Sequence, residues 1–532
     1  MPMNAADYRE SLRRYSPRVF VDGARIDSVA DAPALQPGIN ALGLTYDFAL
    51  RDELAPIMRA VQASSGKTVN RMLHVDQSSA DLLNKLEAVR VLCQETGCAQ
   101  RYLAHDAFSA LTQSTGRIDA DKGTRYGERF TAYLHDFQDK DLSIGIAMTD
   151  AKGDRSKRPH EQAMIDSYVH IVEKNAKGIV ISGTKAIVTG APYVHEFLVM
   201  PCRQMSEADA AFAVCCAVPC DADGVTIVAR PAGRPGEKAA LFSNKYGQST
   251  GVVVFDRVFV AWERVFLAGE WEHSSHLTYS YATHHRHTCI AARAGFGDLL
   301  IGAGALMCEA NGFDPGEESH LREQMVQLIT IVEGFYACGV AASVYASAEA
   351  SSTTVMPDPV FSNIGKLLLA NQIYDMHRIA HYVSGGLIVT LPGPDEDHNP
   401  ETAARLAEVL RANPAVPYDK RIEAARLIED LTASYQGGWY SVISLHGGGS
   451  PAAMKQEIWR NYPVGDKVDL VERLLERGVL AQPGRAITAN RQPGKCCDSG
   501  CTPASATTMV ALPSVVSSAA KNLDLPKAEI VR

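Results

Sequence analysis

Long apolar runs, basic clusters and an export signal are all missing from this sequence of 532 residues. No stretch approaches the roughly 18 consecutive apolar residues of a membrane helix, so we expect no membrane span. The 52 basic residues are outnumbered by 61 acidic ones and form no long run. This argues against nucleic acid or an anionic membrane as the main partner. The first residues, MPMNAADYRESLRR, lack the apolar segment of a secretory signal, so we expect a cytoplasmic protein.

Aromatic residues are also scarce, at 7% of the chain, and cysteines number only twelve. So few cysteines in so long a chain do not form a disulfide framework, and we expect reduced thiols. The 41 glycines and 26 prolines are ordinary numbers for this length. They exclude a collagen-like, low-complexity or wholly disordered chain. The length favours about three domains.

The first 141 residues are predicted to form a helical domain. A short helix over residues 5–14 precedes a hairpin with Asp22-Gly23 at its turn. Residues 39–136 then have apolar residues at helical spacing. Ser79 precedes the longest such run, ADLLNKLEAVRVLCQETGCAQRYLAHDAFSAL, where we expect one long and largely buried helix.

The remaining chain changes pattern twice. Residues 142–278 contain short β-branched runs separated by Gly, Asp and Pro, which predicts a β domain. Residues 279–480 are helical again, and three of their helices are apolar over most of their circumference. Residues 481–532 are small, polar and proline-rich, so we expect a mobile tail. The order predicts an α+β fold laid out like the acyl-CoA dehydrogenases: an N-terminal helical domain, a middle β-barrel domain and a C-terminal helical bundle.

Two groups of cysteines have different interpretations. Cys496, Cys497 and Cys501 could bind Zn²⁺, Cu⁺ or a cluster edge, although a closed site usually has four ligands. The alternative is a tail with free thiols. A second group lies on an apolar strand and the turn after it, where we expect cysteines to serve packing; it consists of Cys215, Cys216 and Cys220.

Five segments occur in an order that carries a resemblance. They are AMTDAKGDR at 147–155, GIVISGTKAIVTGA at 178–191, VVVFDRVFVAWERVFL at 252–267, THHRH at 283–287 and LHGGGSP at 445–451. Together they resemble the 4-hydroxyphenylacetate 3-hydroxylase family over about residues 1–480. Within that family they are most similar to the 4-hydroxybutyryl-CoA dehydratase branch.

Two of these segments, and Thr189 at the end of the strand in a third, suggest a flavin site. Side chains and amides at the end of a strand in AMTDAKGDR could bind a flavin ring, or could form an ordinary turn. The glycines of LHGGGSP would let a backbone approach a pyrophosphate closely, or would form a flexible loop. The resemblance implies FAD, bound by Met148, Thr149, Asp150, Gly153, Arg155, Thr189, His446, Gly447, Gly448 and Gly449.

The dehydratase branch also binds a [4Fe–4S] cluster, through a Cys-x3-Cys pair and a His-x6-Cys pair. These four positions align on Cys98, Tyr102, His285 and Ala292. Alanine cannot bind iron, and a tyrosine oxygen is a poor substitute for thiolate. We therefore expect no [4Fe–4S] cluster and assign no metal ligand. Two further cysteines lie nearby at other spacings, namely Cys93 and Cys289.

The proton-transfer residues of the dehydratase branch have changed too. Its two glutamates align on Thr250 and Ile443, and neither of these side chains can transfer protons. Its lysine aligns on Arg293, which keeps the charge. This argues against a dehydratase.

The hydroxylase branch is matched only in part. In that branch, reduced FAD from a separate reductase and oxygen hydroxylate an aromatic ring. Of its substrate residues, a tyrosine is matched by Tyr102, whereas its arginine and histidine align on Cys98 and Ile146. The phenolic substrate is therefore in question.

The segment His284–His287 contains three imidazoles and a guanidinium, of which at most two can share one site on a helix. It could be a basic helix start beside an anionic neighbour. Alternatively, His285 could be a neutral general base at physiological pH. A third possibility is metal binding by His284 and His287.

We predict a flavin-dependent oxidoreductase, namely a two-component monooxygenase that uses FADH2 from a reductase and acts on a small organic substrate. The predicted catalytic residues are His285, Tyr102 and Arg293. The alternatives are a lyase or isomerase acting on a CoA ester, and a non-enzymatic flavin-fold protein. The apolar helices between residues 290 and 390, and the resemblance, predict a homotetramer.

Overall fold

The computed structural model describes residues 2–233, 236–349 and 352–477, which pack as one unit. Their helices are α1 Ala5–Leu12, α2 Gln36–Leu50, α3 Ala55–Met58, α4 Ser79–Thr96, α5 Tyr102–Lys122, α6 Tyr126–Asp139, α7 Leu241–Lys245, α8 Ser274–Ala310, α9 Ser319–Val344, α10 Pro359–Val383, α11 Ala403–Val409, α12 Tyr418–Thr432, α13 Tyr435–His446, α14 Pro451–Asn461 and α15 Val464–Arg477. The predicted tail, with its three cysteines, lies outside the described residues.

Strands form two larger sheets and two small hairpins. The strands are β1 Val19–Val21, β2 Ala24–Ile26, β3 Arg59–Gln62, β4 Lys67–Asn70, β5 Ile144–Ala147, β6 His170–Asn175, β7 Gly178–Thr189, β8 Glu196–Val199, β9 Val214–Pro219, β10 Val225–Ala229, β11 Thr250–Ala261, β12 Val265–Ala268, β13 Ser347–Ala348 and β14 Val355–Met356. One sheet has the order β2-β1-β10-β11-β7-β6 and the other has the order β12-β9-β8-β5.

In place of the predicted barrel, the described strands form two separate open sheets. The β region is also not confined to residues 142–278, because the N-terminal hairpin joins the larger sheet. Strand β1 runs parallel to β10, with Val19 opposite Ile227. Val19 and Val21 are buried, and this burial holds the hairpin against the rest of the sheet.

The helical run after Ser79 is two helices, not one. Helix α4 ends at Gly97, whose φ of +67° lies in the left-handed region. A Cβ atom there would lie 2.5 Å from the hydroxyl oxygen of Tyr440, so a side chain is excluded. The break places Cys98 in the loop and Tyr102 at the first position of α5. The hairpin β3–β4 also interrupts the predicted helical stretch 39–136.

The central helix of the bundle is α8, which begins at Ser274 rather than near residue 279. It packs against α4, α5, α9 and α10. Two helical spans, Trp271–Ala310 and Ser319–Val344, are long and apolar enough to cross a membrane, contrary to the expectation from apolar runs. The most apolar window of the first is 61% buried inside the protein, as in the core helix of a bundle.

The cysteines of the β region serve packing, as predicted. Cys215 and Cys216 lie on β9 and are fully buried, and Cys220 follows that strand. All cysteines among the described residues are free thiols.

Candidate active site

Three residues on α8 face one cavity. His285, Cys289 and Arg293 follow each other at four-residue spacing, so their side chains lie along one face of the helix. The cavity has a volume of about 40 Å³, enough for about three water molecules. Its other lining residues come from four segments: Cys98, Gln100, Tyr102, Leu103, Thr189, Lys366, Leu369, Trp439, Ile443, Ser444 and Gly447.

This cavity brings together residues that are far apart in the sequence. The three predicted catalytic residues, Tyr102, His285 and Arg293, all line it. Two residues predicted to bind flavin, Thr189 and Gly447, reach it from the end of β7 and from the loop after α13. The sequence-based assignment thus selected residues that share one site.

The imidazole of His285 has a defined orientation. Its Nδ1 lies 3.1 Å from a carboxylate oxygen of Asp106, and its Nε2 lies 3.5 Å from the sulfur of Cys289. Its ring stacks on Tyr281 at 5.5 Å between centroids and lies 6.3 Å from the ring of Tyr102. Both nitrogens and both ring faces therefore have neighbours that hold the ring.

The charges of His285 and Cys289 depend on each other. Burial lowers the pKa of His285, but the Cys289 thiolate and the Asp106 carboxylate act more strongly and raise it to about 10. Burial in turn raises the pKa of Cys289, whereas the neighbouring His285 lowers it to a net value below that of an ordinary thiol. Each group thus favours the charged form of the other. The raised pKa of His285 argues against the predicted neutral base at physiological pH.

The other members of the His284–His287 segment have separate surroundings. Burial lowers the pKa of His284 to about 3, and it also lowers the pKa of His287, whose Nε2 contacts the hydroxyl of Ser343 at 2.8 Å. Arg286 donates from Nε to the carbonyl of Gly448 at 2.8 Å. The segment lies ten residues into α8, so it is not a basic helix start.

Two cations line the cavity. Arg293 is 4% exposed, and its Nη1 has no hydrogen-bond partner among the described residues. Lys366 is fully buried and donates from Nζ to the carbonyl of Ser444 at 2.5 Å. Burial lowers the pKa of Lys366 to about 8. A small anionic or carbonyl oxygen would find unused donors here.

The cluster-ligand positions of the dehydratase branch do not fit a [4Fe–4S] group. The hydroxyl of Tyr102 lies 3.7 Å from the sulfur of Cys98, and Ala292 is fully buried. Both nitrogens of His285 already face Asp106 and Cys289. In the part of the chain that the structure describes, no group of three or more His, Cys, Asp and Glu side chains is arranged to hold a metal ion.

The glycine segment fits a phosphate-binding role. Gly448 and Gly449 have φ values of +76° and +105°, which other residues rarely adopt. A Cβ atom on Gly448 would lie 3.3 Å from Arg286 and 3.4 Å from His285. The segment leads directly into α14, where the Ser450 side chain accepts a hydrogen bond from the amide of Ala453 and caps the first turn.

The strand end after β5 lies beside β7. The carbonyl of Thr149 accepts from the amide of Ala186 at 2.8 Å, and both Thr149 and Met148 are partly exposed. Next to this contact, Ile187 has a φ of +58° and is 61% exposed, at a bulge in the pairing of β7 with β11. A β-branched residue at positive φ indicates local strain of the kind found at binding sites.

Asp150 has a structural role that the sequence analysis did not predict. Its carboxylate lies 2.7 Å from Nζ of Lys185, accepts from the amide of Val169 at 3.0 Å and is 2% exposed. Nζ of Lys185 also donates to the carbonyls of Met148 and Met200. The buried Asp150 carboxylate therefore has partners within the protein, and its contact with flavin remains a prediction.

The remaining residues assigned to flavin are exposed and do not line the cavity: Gly153, Arg155 and His446. Gly153 has a φ of +50°, and a Cβ atom there would lie 2.4 Å from Oε1 of Gln162. The contact with Gln162 explains why this loop needs a glycine, without any ligand.

Three positions align with proton-transfer or substrate residues of the two branches. Ile443 lines the cavity, Thr250 pairs across the sheet with Thr189, and Ile146 is buried in β5.

Several functional candidates were not identified from the sequence. Asp106, Lys366 and Trp439 lie on three helices far from α8 in the chain, and no motif signals them. Cys289 carried a detectable signal, because it lies four residues from both His285 and Arg293.

Comparison with known protein families adds a second line of evidence. Residues 4–267 match the family model described as 4-hydroxyphenylacetate 3-hydroxylase N terminal, and residues 274–476 match the model of its C terminal part. The chain belongs to the 4-hydroxyphenylacetate 3-hydroxylase family. The division between the two models falls in the short connection between β12 and α8.

Members of both branches of this family are similar to the chain. It is 33% identical over 489 residues to 4-hydroxybutyryl-CoA dehydratase/vinylacetyl-CoA-Delta-isomerase of Clostridium aminobutyricum, covering 89% of this chain and 99% of that protein. The structure of an oxygen-tolerant archaeal 4-hydroxybutyryl-CoA dehydratase from N. maritimus superposes with a TM-score of 0.87 at 33% identity, covering 94% and 100% of the two chains.

An oxygenase of the 4-hydroxyphenylacetate 3-hydroxylase family also has this fold. The oxygenase component of 4-hydroxyphenylacetate 3-monooxygenase, in complex with FAD and 4-hydroxyphenylacetate, superposes with a TM-score of 0.79 at 21% identity. The match covers 90% of this chain and 99% of that one.

Proposed function

We propose that this protein is the oxygenase component of a two-component, FADH2-dependent monooxygenase that acts on a small organic substrate. The observation that carries the proposal is the composition of the cavity. Among the described residues that line it, none is Asp or Glu, and Tyr102 and Ile443 replace a cluster ligand and a glutamate of the dehydratase branch. The cavity therefore lacks the glutamates and the complete ligand set of the dehydratase branch, and the family and fold are shared with an FAD-binding oxygenase.

The residues fit a flavin whose phosphates lie against the glycine segment and whose ring lies near Thr189. Gly448 and Gly449 leave space for close backbone approach, and the β7 edge offers partly exposed groups. The bound flavin would supply the redox chemistry with oxygen. The chain itself would hold a substrate oxygen with Arg293 and Lys366, and would exclude water with apolar side chains such as Trp439.

A second candidate is a lyase or isomerase of CoA esters. It is favoured by the 33% identity to the dehydratase over 489 residues. The His285–Cys289 pair could also move a proton without any carboxylate in the cavity. This activity would need neither oxygen nor a reductase.

A single pair of assays separates the two candidates. The full chain is mixed with reduced FAD and isotopically labelled oxygen over a panel of small aromatic and carbonyl compounds, and incorporation of the label is measured by mass spectrometry. The monooxygenase proposal predicts labelled product. Anaerobic turnover of 4-hydroxybutyryl-CoA or vinylacetyl-CoA, with no oxygen incorporation into any substrate, would instead establish the second candidate.

We also propose a separate flavin reductase as partner, a cytoplasmic location and a homotetramer. Large apolar side chains remain exposed along two helices of the bundle: Val326, Ile329 and Val344 on α9, and Leu368, Tyr374 and Tyr382 on α10. Such a surface is typical of a subunit interface. Light scattering at micromolar concentration should give four times the chain mass; a stable monomer would contradict the tetramer.

A further inference from the structure

The contact between His285 and Cys289 is not accounted for by flavin binding. The sulfur lies 3.5 Å from Nε2 and 3.9 Å from Nδ1 of the imidazole, and Nδ1 also lies 3.1 Å from the Asp106 carboxylate. Enzymes that use cysteine as a nucleophile likewise pair the thiol with a histidine, which maintains the thiolate, and often orient that histidine with an acidic side chain. Asp106 is itself fixed by the hydroxyl of Thr288, which donates to it at 2.6 Å.

The same cavity contains a donor that has no acceptor among the described residues, beside a second cation. Nη1 of Arg293 is buried without a hydrogen-bond partner among the described residues, and Lys366 contributes a second cation. Donors held in a cavity that excludes water stabilise an oxygen atom that gains negative charge during a reaction. Trp439 and Leu369 add apolar walls suited to a planar group.

We propose that Cys289 is the nucleophile of a flavin-independent addition to a conjugated carbonyl compound, whose carbonyl oxygen is bound by Arg293 and Lys366. The thiolate sulfur forms a bond to the β-carbon, and the electrons of the C=C bond move to the α-carbon and the carbonyl oxygen. The imidazolium of His285 then gives its proton to the α-carbon. The product is a saturated thioether, and no electron donor or acceptor is consumed.

In conjugate addition, the charge develops on an oxygen several bonds away from the carbon that is attacked. In this site the nucleophile is Cys289 on α8, and the proposed oxygen-binding cations are Arg293 on α8 and Lys366 on α10. The proton is needed at the carbon next to the new C–S bond, and the donor, His285, lies beside the sulfur.

The test uses the purified full chain and acrylamide, a small conjugated carbonyl compound, at pH 6. Ordinary thiols have a pKa near 8.5, so well under about 1% is thiolate at that pH. Peptide mapping by mass spectrometry should show Cys289 labelled at least about tenfold faster than Cys98, a thiol of the same cavity whose pKa is raised by burial. Propionamide, which has no double bond, should give no adduct.

Variants test the separate parts of the proposal. His285→Gln and Asp106→Asn should slow labelling of Cys289 about tenfold or more, because the thiolate loses its partner. Arg293→Gln should slow the acrylamide reaction but not the reaction with iodoacetamide, which displaces iodide and needs no carbonyl activation. Cys338→Ser, which changes a thiol on α9 outside the cavity, is the matched control and should leave the labelling rate unchanged.

The comparison of Cys289 with Cys98 in the wild-type protein requires no variant, so it stands even if a variant fails to fold. Equal labelling rates of Cys289 and Cys98 would overturn the assignment of Cys289 as the nucleophile. If Arg293→Gln slowed the reactions with acrylamide and iodoacetamide equally, the assignment of Arg293 to the carbonyl oxygen would be overturned. Neither result depends on flavin or oxygen, so a failure here is distinguishable from a failure of the monooxygenase proposal.

Discussion

His285 and Cys289 lie one helical turn apart on α8, and 3.5 Å separates the imidazole Nε2 from the sulfur. Each of the two groups favours the charged form of the other, because Cys289 raises the pKa of His285 and His285 lowers the pKa of Cys289. The pair lies in the cavity that Thr189 and Gly447 also line. The described residues that line this cavity include thiols, an imidazole and two cationic side chains, and none of them is Asp or Glu.

Replacing Gly448 by valine should weaken FAD binding about tenfold, which corresponds to ~1.4 kcal/mol. Valine at a φ of +76° is strained, and its Cβ atom would lie 3.3 Å from Arg286 and 3.4 Å from His285, so the glycine segment would shift from the position at which we propose that it binds the phosphates. Fluorescence titration with FAD measures the effect. Gly386→Val is the matched control, because Gly386 has a φ of +75° and open space around its Cβ position. Equal FAD affinity in the two variants would contradict the assignment of the glycine segment.

Replacing Lys366 by methionine should remove a pH dependence of stability. The pKa of this lysine falls from 10.5 in the unfolded chain to about 8 in the folded protein. Between these values the unfolded state binds more protons, so the folded state gains stability as pH rises. The full shift corresponds to about 3 kcal/mol. Denaturant unfolding gives the free energy of unfolding of the wild type and of Lys366→Met at pH 7 and pH 10. From pH 7 to pH 10 this free energy should rise more in the wild type than in the variant. An equal difference between the two proteins at both pH values would refute the prediction.

Replacing Lys185 by methionine should destabilise the protein by about 3–5 kcal/mol, because Asp150 would keep a buried charge without a partner. Both side chains are 2% exposed. Chemical denaturation monitored by circular dichroism measures the loss. The control is Lys238→Met, which breaks an exposed pair with Asp395 and should cost less than about 1 kcal/mol. Similar losses in the two variants would show that Asp150 is not held as the structure indicates.

Protein purified without oxygen should contain flavin but no [4Fe–4S] cluster. The reason is the pair of substitutions at cluster positions, Tyr102 and Ala292. Iron and sulfide analysis should give far less than the about four of each per chain that a cluster requires. The double variant Tyr102→Cys with Ala292→Cys restores the ligand types of the dehydratase branch and should gain iron on reconstitution. Stoichiometric iron in the wild type would overturn this prediction and direct attention to Cys93 and Cys289.

Much of the fold could be predicted from periodicity and local residue types. The helical N-terminal part, the β-rich middle and the apolar helices of the C-terminal part follow from apolar spacing and β-branched runs. Two features could not be predicted this way. The hairpin at β1–β2 joins a sheet formed more than two hundred residues later, and the close approach of Gly97 to Tyr440 brings together two helices that are far apart in the sequence.

The sequence alone determined the residue types of the site and the loss of two cluster ligands at the aligned positions, because an alanine or tyrosine cannot act as a thiolate in any fold. It also selected His285, Tyr102 and Arg293, which the structure places around one cavity. Only the tertiary structure decided the charges. Protonation depends on burial and on neighbours within a few ångströms, and many of these neighbours come from distant parts of the chain: after Cys289, Asp106 raises the pKa of His285, while Lys185 forms a buried ion pair with Asp150.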